Sequence, residues 1–195
     1  IYIMGPVPDE IPKSRNRNDI DEELNARVYA VQDLLYHLEK MSGTRPEVVI
    51  TDNAAQVEAP AIVLGSLAVE LGAKPAGTTE SGEAYRLLFK DGRLLIGGES
   101  DRAALHGVYD LLRRWGCDWI MPGESGEIIP SMATVELPEI DAESAPDFLM
   151  RRLWYRGYNQ PRLPEERERF TTWQRRHRAG TWSSPMAGAA GHYWD

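Results

Sequence analysis

The chain has 195 residues, of which 42% are hydrophobic and 27% charged, so it is long enough for one sizeable core and has the composition of a globular protein. Its net charge of −8 is unevenly divided: residues 149–195 carry nine arginines against four carboxylates, whereas residues 1–148 carry 13 basic and 26 acidic side chains. The acidic larger part argues against nucleic acid as a partner, and no apolar run reaches the roughly 18 residues of a membrane-spanning helix.

Cysteine, histidine and motif content also restrict the chemistry. The single cysteine, Cys117, excludes an intrachain disulfide. The chain begins with Ile1 and shows no charged-then-apolar leader, which predicts that it has been processed or trimmed. Four scattered histidines and one cysteine offer no metal-ligand spacing, and no phosphate-binding loop or nucleophile elbow is present. We therefore expect neither a metal nor another cofactor.

The first predicted elements are a helix and two short strands. Residues 1–18 are Pro-rich and predicted as a loop or a frayed edge, in which 1–4 could be the end of a strand. Over 19–42, apolar side chains recur at three- and four-residue spacing, which predicts an amphipathic helix. The apolar runs 48–51 and 61–64 have the length of buried strands, and 66–72 is predicted as a short helical turn.

A hairpin and a second long helix follow. Tyr85–Phe89 and Leu94–Gly97 flank the Asp-Gly pair 91–92, which supplies the positive-φ residues of a tight turn. The next helix begins at Ser100 or Asp101, presents one apolar face and ends at Gly116.

Three further short strands are predicted at 119–121, 127–129 and 133–137. The order of helix, strands, hairpin, helix and strands predicts an α/β domain over residues 1–138. We expect an α+β sandwich in which a mixed sheet is covered by two main helices.

The pattern changes after Pro138. Residues 139–147 are acidic and predicted as a linker, 148–155 have strand-like composition, and the Arg-rich stretch 165–179 is predicted as a helix that Gly180 ends. A strand, a helix and a loop in this order are typical of the first unit of a (β/α)8 barrel. Because a complete barrel needs about 250 residues, residues 148–195 can supply only its truncated start.

Two stretches carry a resemblance to known enzymes. The segment GGESDRAALHGVYDLL (97–112), followed by GCDWIMPGESGEIIP (116–130), resembles the N-terminal domains of glycoside hydrolases. The similar families are the family 163 endo-β-N-acetylglucosaminidases, the family 67 α-glucuronidases and the family 20 β-N-acetylhexosaminidases. The resemblance covers about residues 20–155 and is best over 84–155.

The resemblance implies a hexosaminidase-type accessory domain that precedes a catalytic barrel. Residues 1–138 would form this domain, 139–147 the linker and 148–195 the first strand–helix unit of the barrel. The catalytic carboxylates of these families lie further along the barrel, so no catalytic residue is assigned here. Glu124 and Glu127 belong to the accessory-domain motif and are not candidates for the acid or the base.

Four residues are candidates for substrate binding. Arg152 and Trp154 fall in the predicted barrel strand and Arg156 directly follows it; here arginine could bind sugar hydroxyls or a carboxylate and tryptophan could stack on a pyranose. The alternative is that the aromatic side chain packs in a core and the arginines form interdomain salt bridges. His192 falls where a barrel strand would meet its loop, a position that builds active sites in barrels.

Other conspicuous residues are better explained by structure. The run 175–178 beside Trp173 is interpreted as the solvated C-terminal end of a helix rather than a nucleic-acid patch. His106 is predicted to be a hydrogen-bonded histidine within a helix, and Cys117 to be a small buried hydrophobe.

Three functions remain open from the sequence. The first is the non-catalytic accessory domain of a glycoside hydrolase, which the resemblance places in an extracellular or periplasmic setting and which meets carbohydrate through its barrel. The second is a stand-alone carbohydrate-binding or protein-interaction module, which Trp154, Trp173, Trp182 and Trp194 would serve. The third is self-association through an apolar face around residues 148–158.

Overall fold

A computed structural model describes residues 1–10, 22–149, 151, 153 and 164–179, with only the backbone described at Glu22, Glu23 and Pro164. The chain divides into two compact units. The first comprises Ile1–Asp118 and Ile128–Pro146, and the second comprises Trp119–Glu127 and the residues from Asp147 onward.

The first unit contains a six-stranded mixed sheet. Its strands are β1 Tyr2–Ile3, β2 Val49–Ile50, β3 Ala61–Leu64, β4 Tyr85–Lys90, β5 Arg93–Gly98 and β8 Asp141–Ser144. Their order across the sheet is β2-β1-β3-β5-β4-β8. Strands β1, β2, β3 and β5 run parallel, whereas β4 is antiparallel to both β5 and β8. A separate two-stranded sheet is formed by β6 Asp118–Trp119 and β7 Glu127–Ile128.

Helices cover both faces of the large sheet. The helices are α1 Glu22–Ser42, α2 Ser66–Glu70, α3 Asp101–Arg114 and, in the second unit, α4 Pro164–Arg176. On one face α1 packs against α3, and α3 approaches β5 so closely that a Cβ on Gly107 would lie 2.5 Å from Ile96 Cγ2. On the other face Leu67 of α2 packs with Val63 and Leu95. The structure confirms the predicted mixed sheet with two main helices.

The local predictions for the hairpin and α3 are also confirmed. Asp91 and Gly92 have φ of 52° and 74°, the positive values that the tight turn between β4 and β5 requires. Ser100 caps α3, because its side chain accepts a hydrogen bond from Ala103 N at 3.1 Å. Gly116, with φ of 90°, stands just after the helix.

A buried polar group links α1 to α3. Tyr109 donates its hydroxyl hydrogen to Asp33 Oδ2 at 2.6 Å, and both side chains are buried. His37 Nδ1 lies 2.6 Å from the Asp33 carbonyl oxygen and must therefore donate to it. His106 is buried, in agreement with a structural role, and Cys117 is buried with its Sγ 3.8 Å from a methionine sulfur.

The sheet edge differs from the prediction. Residues 133–137 form no strand; the edge strand is β8, within the stretch 139–147 that was predicted as a linker. Two guanidinium nitrogens of Arg86, on β4, donate hydrogen bonds to the Asp141 carboxylate: Nε to Oδ1 at 2.8 Å and Nη2 to Oδ2 at 2.9 Å. Acidic residues predicted a linker, but on an edge strand they are compatible with pairing because a neighbouring cation binds them.

The predicted barrel start is only partly described. Residues 148, 149, 151 and 153, which belong to the strand predicted over 148–155, have no strand assignment. Strands are defined by their ladder hydrogen bonds, and no described segment pairs with these residues. Helix α4 confirms the predicted Arg-rich helix, whereas Gly180 and the loop after it lie outside the described residues.

Glu99 fixes the loop before β4 and gives the first unit an acid-sensitive contact. Its carboxylate accepts hydrogen bonds from Thr79 N at 2.8 Å, Thr79 Oγ1 at 2.6 Å and Ala84 N at 2.8 Å. Burial raises the pKa of Glu99, but these hydrogen bonds outweigh it and the pKa lies below its usual value.

This lowered pKa predicts the direction of a pH effect. The contribution of Glu99 to stability is fully present above the unfolded pKa of about 4.3 and is lost as the pH falls through the lower folded pKa. We expect Glu99→Gln to flatten the decline in unfolding free energy below that pH, as measured by urea titrations at several pH values. An unchanged pH slope in this variant would contradict the assignment, and Glu80→Gln in the same loop serves as the control.

Candidate functional site

An open cleft of about 550 Å³ lies within the second unit, between the loop 119–127 and helix α4. Its volume falls in the range of small-molecule sites. Its walls combine aromatic, charged and hydroxyl-bearing side chains with the backbone of a tight loop. The lining residues are Trp119, Met121, Pro122, Gly123, Glu124, Ser125, Glu127, Glu165, Glu168, Arg169, Thr172, Trp173 and Arg176.

The loop wall of the cleft is held in shape by its own backbone. Ile120 N donates to Gly126 O at 2.9 Å, and Gly126 N donates to Gly123 O at 3.0 Å. Gly123 has φ of 90°, a left-handed conformation that disfavours other residues. A Cβ on Gly126 would lie 2.1 Å from Met121 O, so the loop closes this tightly only with glycine there.

Two side chains of the helix wall bind the same carbonyl group of the loop. The Trp119 oxygen accepts a hydrogen bond from Trp173 Nε1 at 2.7 Å. His177 Nε2 lies 2.7 Å from the same oxygen and must donate to it, because a carbonyl only accepts. Trp173 and His177 are one helical turn apart with ring centroids 4.5 Å apart. The indole of Trp173 is therefore held in one orientation at the cleft.

An ion pair forms the floor of the cleft. Arg176 Nη1 lies 2.5 Å from Glu127 Oε1, and the two side chains are only 9% and 12% exposed. The Arg176 guanidinium also lies 5.5 Å from the ring centroid of the fully buried Trp119, within cation–π range. Because the two desolvated charges neutralise each other, the floor of the cleft carries no net charge.

The rim of the cleft is acidic. Glu124, Glu165 and Glu168 are exposed, and Arg169 is the cation beside them. Arg169 lies 3.8 Å from Glu165 with side chains 60% and 84% exposed, so this pair is held weakly. Four carboxylates against two guanidinium groups give the lining a formal charge of −2. The cleft thus offers hydrogen-bond acceptors to hydroxyl donors and repels anions.

The four substrate-binding candidates from the sequence, Arg152, Trp154, Arg156 and His192, all lie outside the described residues. Of their described neighbours, Leu153 contacts α4, because its carbonyl oxygen accepts a hydrogen bond from Gln174 Nε2 at 2.8 Å.

One interpretation made from the sequence requires correction. Arg176 was assigned to a solvated helix end, but it is 8% exposed because it turns inward to Glu127. The helical spacing of Glu165, Glu168, Thr172 and Arg176 contains the signal that these residues share a face.

The described residues include no group of three His, Cys, Asp or Glu side chains arranged to hold a metal ion. None of their helices is long and apolar enough to cross a bilayer.

The fold is similar to part of a solved glycoside hydrolase. That enzyme, BtGH115A, is described as a family GH115 4-O-methyl-α-glucuronidase with specificity for decorated arabinogalactans. The two chains share 15% identity with a TM-score of 0.54 over 79% of this chain and 22% of that chain. No family model and no curated protein matches the sequence. The chain therefore spans about a fifth of that enzyme, and it shares a mixed α/β fold with a glycoside hydrolase.

Proposed function

We propose that this chain is a non-catalytic accessory domain of a glycoside hydrolase. The observation that carries the proposal is the shared fold, which extends over 79% of this chain but only 22% of the enzyme. A domain of that share leaves most of a hydrolase, including room for a barrel of about 250 residues, to the rest of the protein. Its role would be to support the barrel.

The finer assignments belong to the same proposal. The motif resemblance favours families 163, 67 and 20, whereas the structural neighbour belongs to family GH115. The two agree on the class of enzyme, so we propose the class and leave the choice of family to the sequence beyond this chain. Arg152, Trp154, Arg156 and His192 remain proposed substrate contacts at the edge of the barrel, and an extracellular or periplasmic location is proposed with them.

An exposed apolar segment favours the proposal that this domain packs against a barrel. Phe148, Leu149 and Leu153 are 73%, 47% and 52% exposed. Exposed apolar side chains close together in the chain commonly mark a surface that another domain covers. We propose that the rest of the barrel covers this segment and that, without the rest of the barrel, the exposed side chains would favour self-association.

The proposal predicts that the chain alone hydrolyses no glycoside. We expect no release of nitrophenol from nitrophenyl N-acetyl-β-glucosaminide or nitrophenyl α-glucuronide, because the acid and base of these enzymes lie on the barrel. The measurement is absorbance over an extended incubation with purified protein.

A contaminating enzyme must be distinguished from true activity. Any turnover would be measured again with the double variant Glu124→Gln, Glu168→Gln, which removes two cleft carboxylates and is purified in the same way. Turnover that disappears in this variant would show that the chain is itself a hydrolase and overturn the proposal. Turnover that persists in this variant and elutes together with the chain on further purification would overturn the proposal as well, whereas turnover that separates from the chain comes from the preparation.

A further inference from the structure

We infer that the cleft between the loop 119–127 and α4 binds an uncharged pyranose ring and discriminates against uronic acids. The inference rests on the proposed function, because it takes the ligand of a glycoside hydrolase domain to be carbohydrate. It goes further by locating a sugar site on this chain itself and by stating its charge preference.

The aromatic wall supplies the surface that a sugar ring needs. Trp173 is half-buried, lines the cleft and is fixed by its hydrogen bond to the Trp119 carbonyl. The indole already packs against the rings of His177 and Phe170, with centroids 4.5 Å and 5.7 Å away, so the part that lines the cleft is the surface left for the apolar C–H face of a pyranose. An indole that is already immobilised loses little entropy when a sugar binds. The volume of about 550 Å³ accommodates one or two sugar rings.

The polar groups of the cleft match sugar hydroxyls. Glu124 and Glu168 are exposed carboxylates that accept from O–H donors, and Thr172 and Ser125 can both donate and accept. Hydrogen bonds to ionised acceptors are stronger than neutral ones. Carboxylates and hydroxyls that converge on an aromatic wall therefore favour a ligand rich in hydroxyl donors.

Charge then selects among sugars. The Arg176 guanidinium is bound to Glu127 on the floor, so this cation of the lining is already engaged. Glu124, Glu165 and Glu168 outnumber Arg169 on the rim. A sugar carboxylate in the cleft would lie among charges of its own sign, whereas a hydroxymethyl group in the same position would donate to them. The cleft should thus differ from a glucuronate-binding site.

The test compares two ligands that differ only in this group. Methyl β-glucoside and methyl β-glucuronide would be titrated into the 195-residue chain at low salt while the indole N–H resonances are followed by NMR. Trp173→Phe identifies the resonance of Trp173. We expect it to shift with the glucoside, and we expect the glucuronide to bind about three- to tenfold more weakly. The methyl glycosides of galactose, xylose and N-acetylglucosamine extend the neutral series.

Charge reversal gives the decisive variant. Glu168→Lys lies on the exposed rim and should raise glucuronide affinity by about three- to tenfold. Glu166→Lys makes the same change in net charge two residues away on α4, at a position that does not line the cleft. It should change the ratio of glucoside to glucuronide affinity less than Glu168→Lys does.

Each outcome distinguishes the inference from the proposed function. If no neutral glycoside shifts the Trp173 resonance, or if the glucuronide binds as tightly as the glucoside, the inference is wrong while the accessory-domain proposal stands. If the chain hydrolyses glycosides, the accessory-domain proposal is wrong whatever the titration shows.

Discussion

Replacing Glu127 by alanine is expected to lower the unfolding free energy of the second unit by about 3–5 kcal/mol. The change leaves the Arg176 guanidinium, which is 9% exposed, without its carboxylate 2.5 Å away. A buried charge that loses its ion-pair carboxylate keeps the cost of desolvation and loses the attraction that this carboxylate supplied. Urea unfolding followed by tryptophan fluorescence would measure the loss, because Trp119 and Trp173 both lie in this unit.

Two controls separate this cause from a general loss of packing. Removing both charges in the double variant Glu127→Leu, Arg176→Met should restore much of the lost stability, since no charge is then left buried. Glu165→Ala removes the carboxylate of the exposed pair with Arg169 and should cost less than about 1 kcal/mol. The explanation fails if Glu127→Ala is as mild as Glu165→Ala, or if the double variant is less stable than the single one.

The core of the first unit could be predicted from the sequence because its signals are local. The spacing of apolar residues identified α1 and α3, and Asp91-Gly92 identified the hairpin turn, because each depends on neighbouring residues alone. The edge strand β8 escaped prediction for the opposite reason. Its residues look like a linker until Arg86, 55 positions away from Asp141, is placed beside them by the fold.

The cleft could not be assembled from the sequence for a related reason. Its loop and its helix are separated by about forty residues in the sequence. Two of the hydrogen bonds that join them are accepted by the Trp119 carbonyl oxygen, a backbone atom that no sequence motif marks. Helical periodicity could place Glu168, Thr172 and Arg176 on one face of α4. It could not show that Glu127 faces them, and this partner decides whether Arg176 lies in solvent or in the floor.

Replacing Tyr109 by phenylalanine is expected to lower the unfolding free energy of the first unit by about 2–3 kcal/mol. The variant fills the same space but removes the hydroxyl that donates to Asp33 Oδ2 at 2.6 Å, in an interface where both side chains are buried. A carboxylate that has left water keeps its desolvation cost when a donor is lost, so the effect exceeds that of an ordinary exposed hydrogen bond. Urea unfolding at neutral pH followed by far-UV circular dichroism would measure it.

The partner position shows whether the hydrogen bond itself is responsible. Asp33→Asn retains an oxygen that accepts from Tyr109 and carries no charge to desolvate, so it should cost less than Tyr109→Phe. With asparagine at position 33, the further change Tyr109→Phe should cost only about 1 kcal/mol, because the acceptor that then loses the hydroxyl donor is neutral rather than charged. Equal costs of Tyr109→Phe in the two backgrounds would show that the hydroxyl acts through packing alone, and that the hydrogen bond from Tyr109 to Asp33 does not stabilise the contact between α1 and α3.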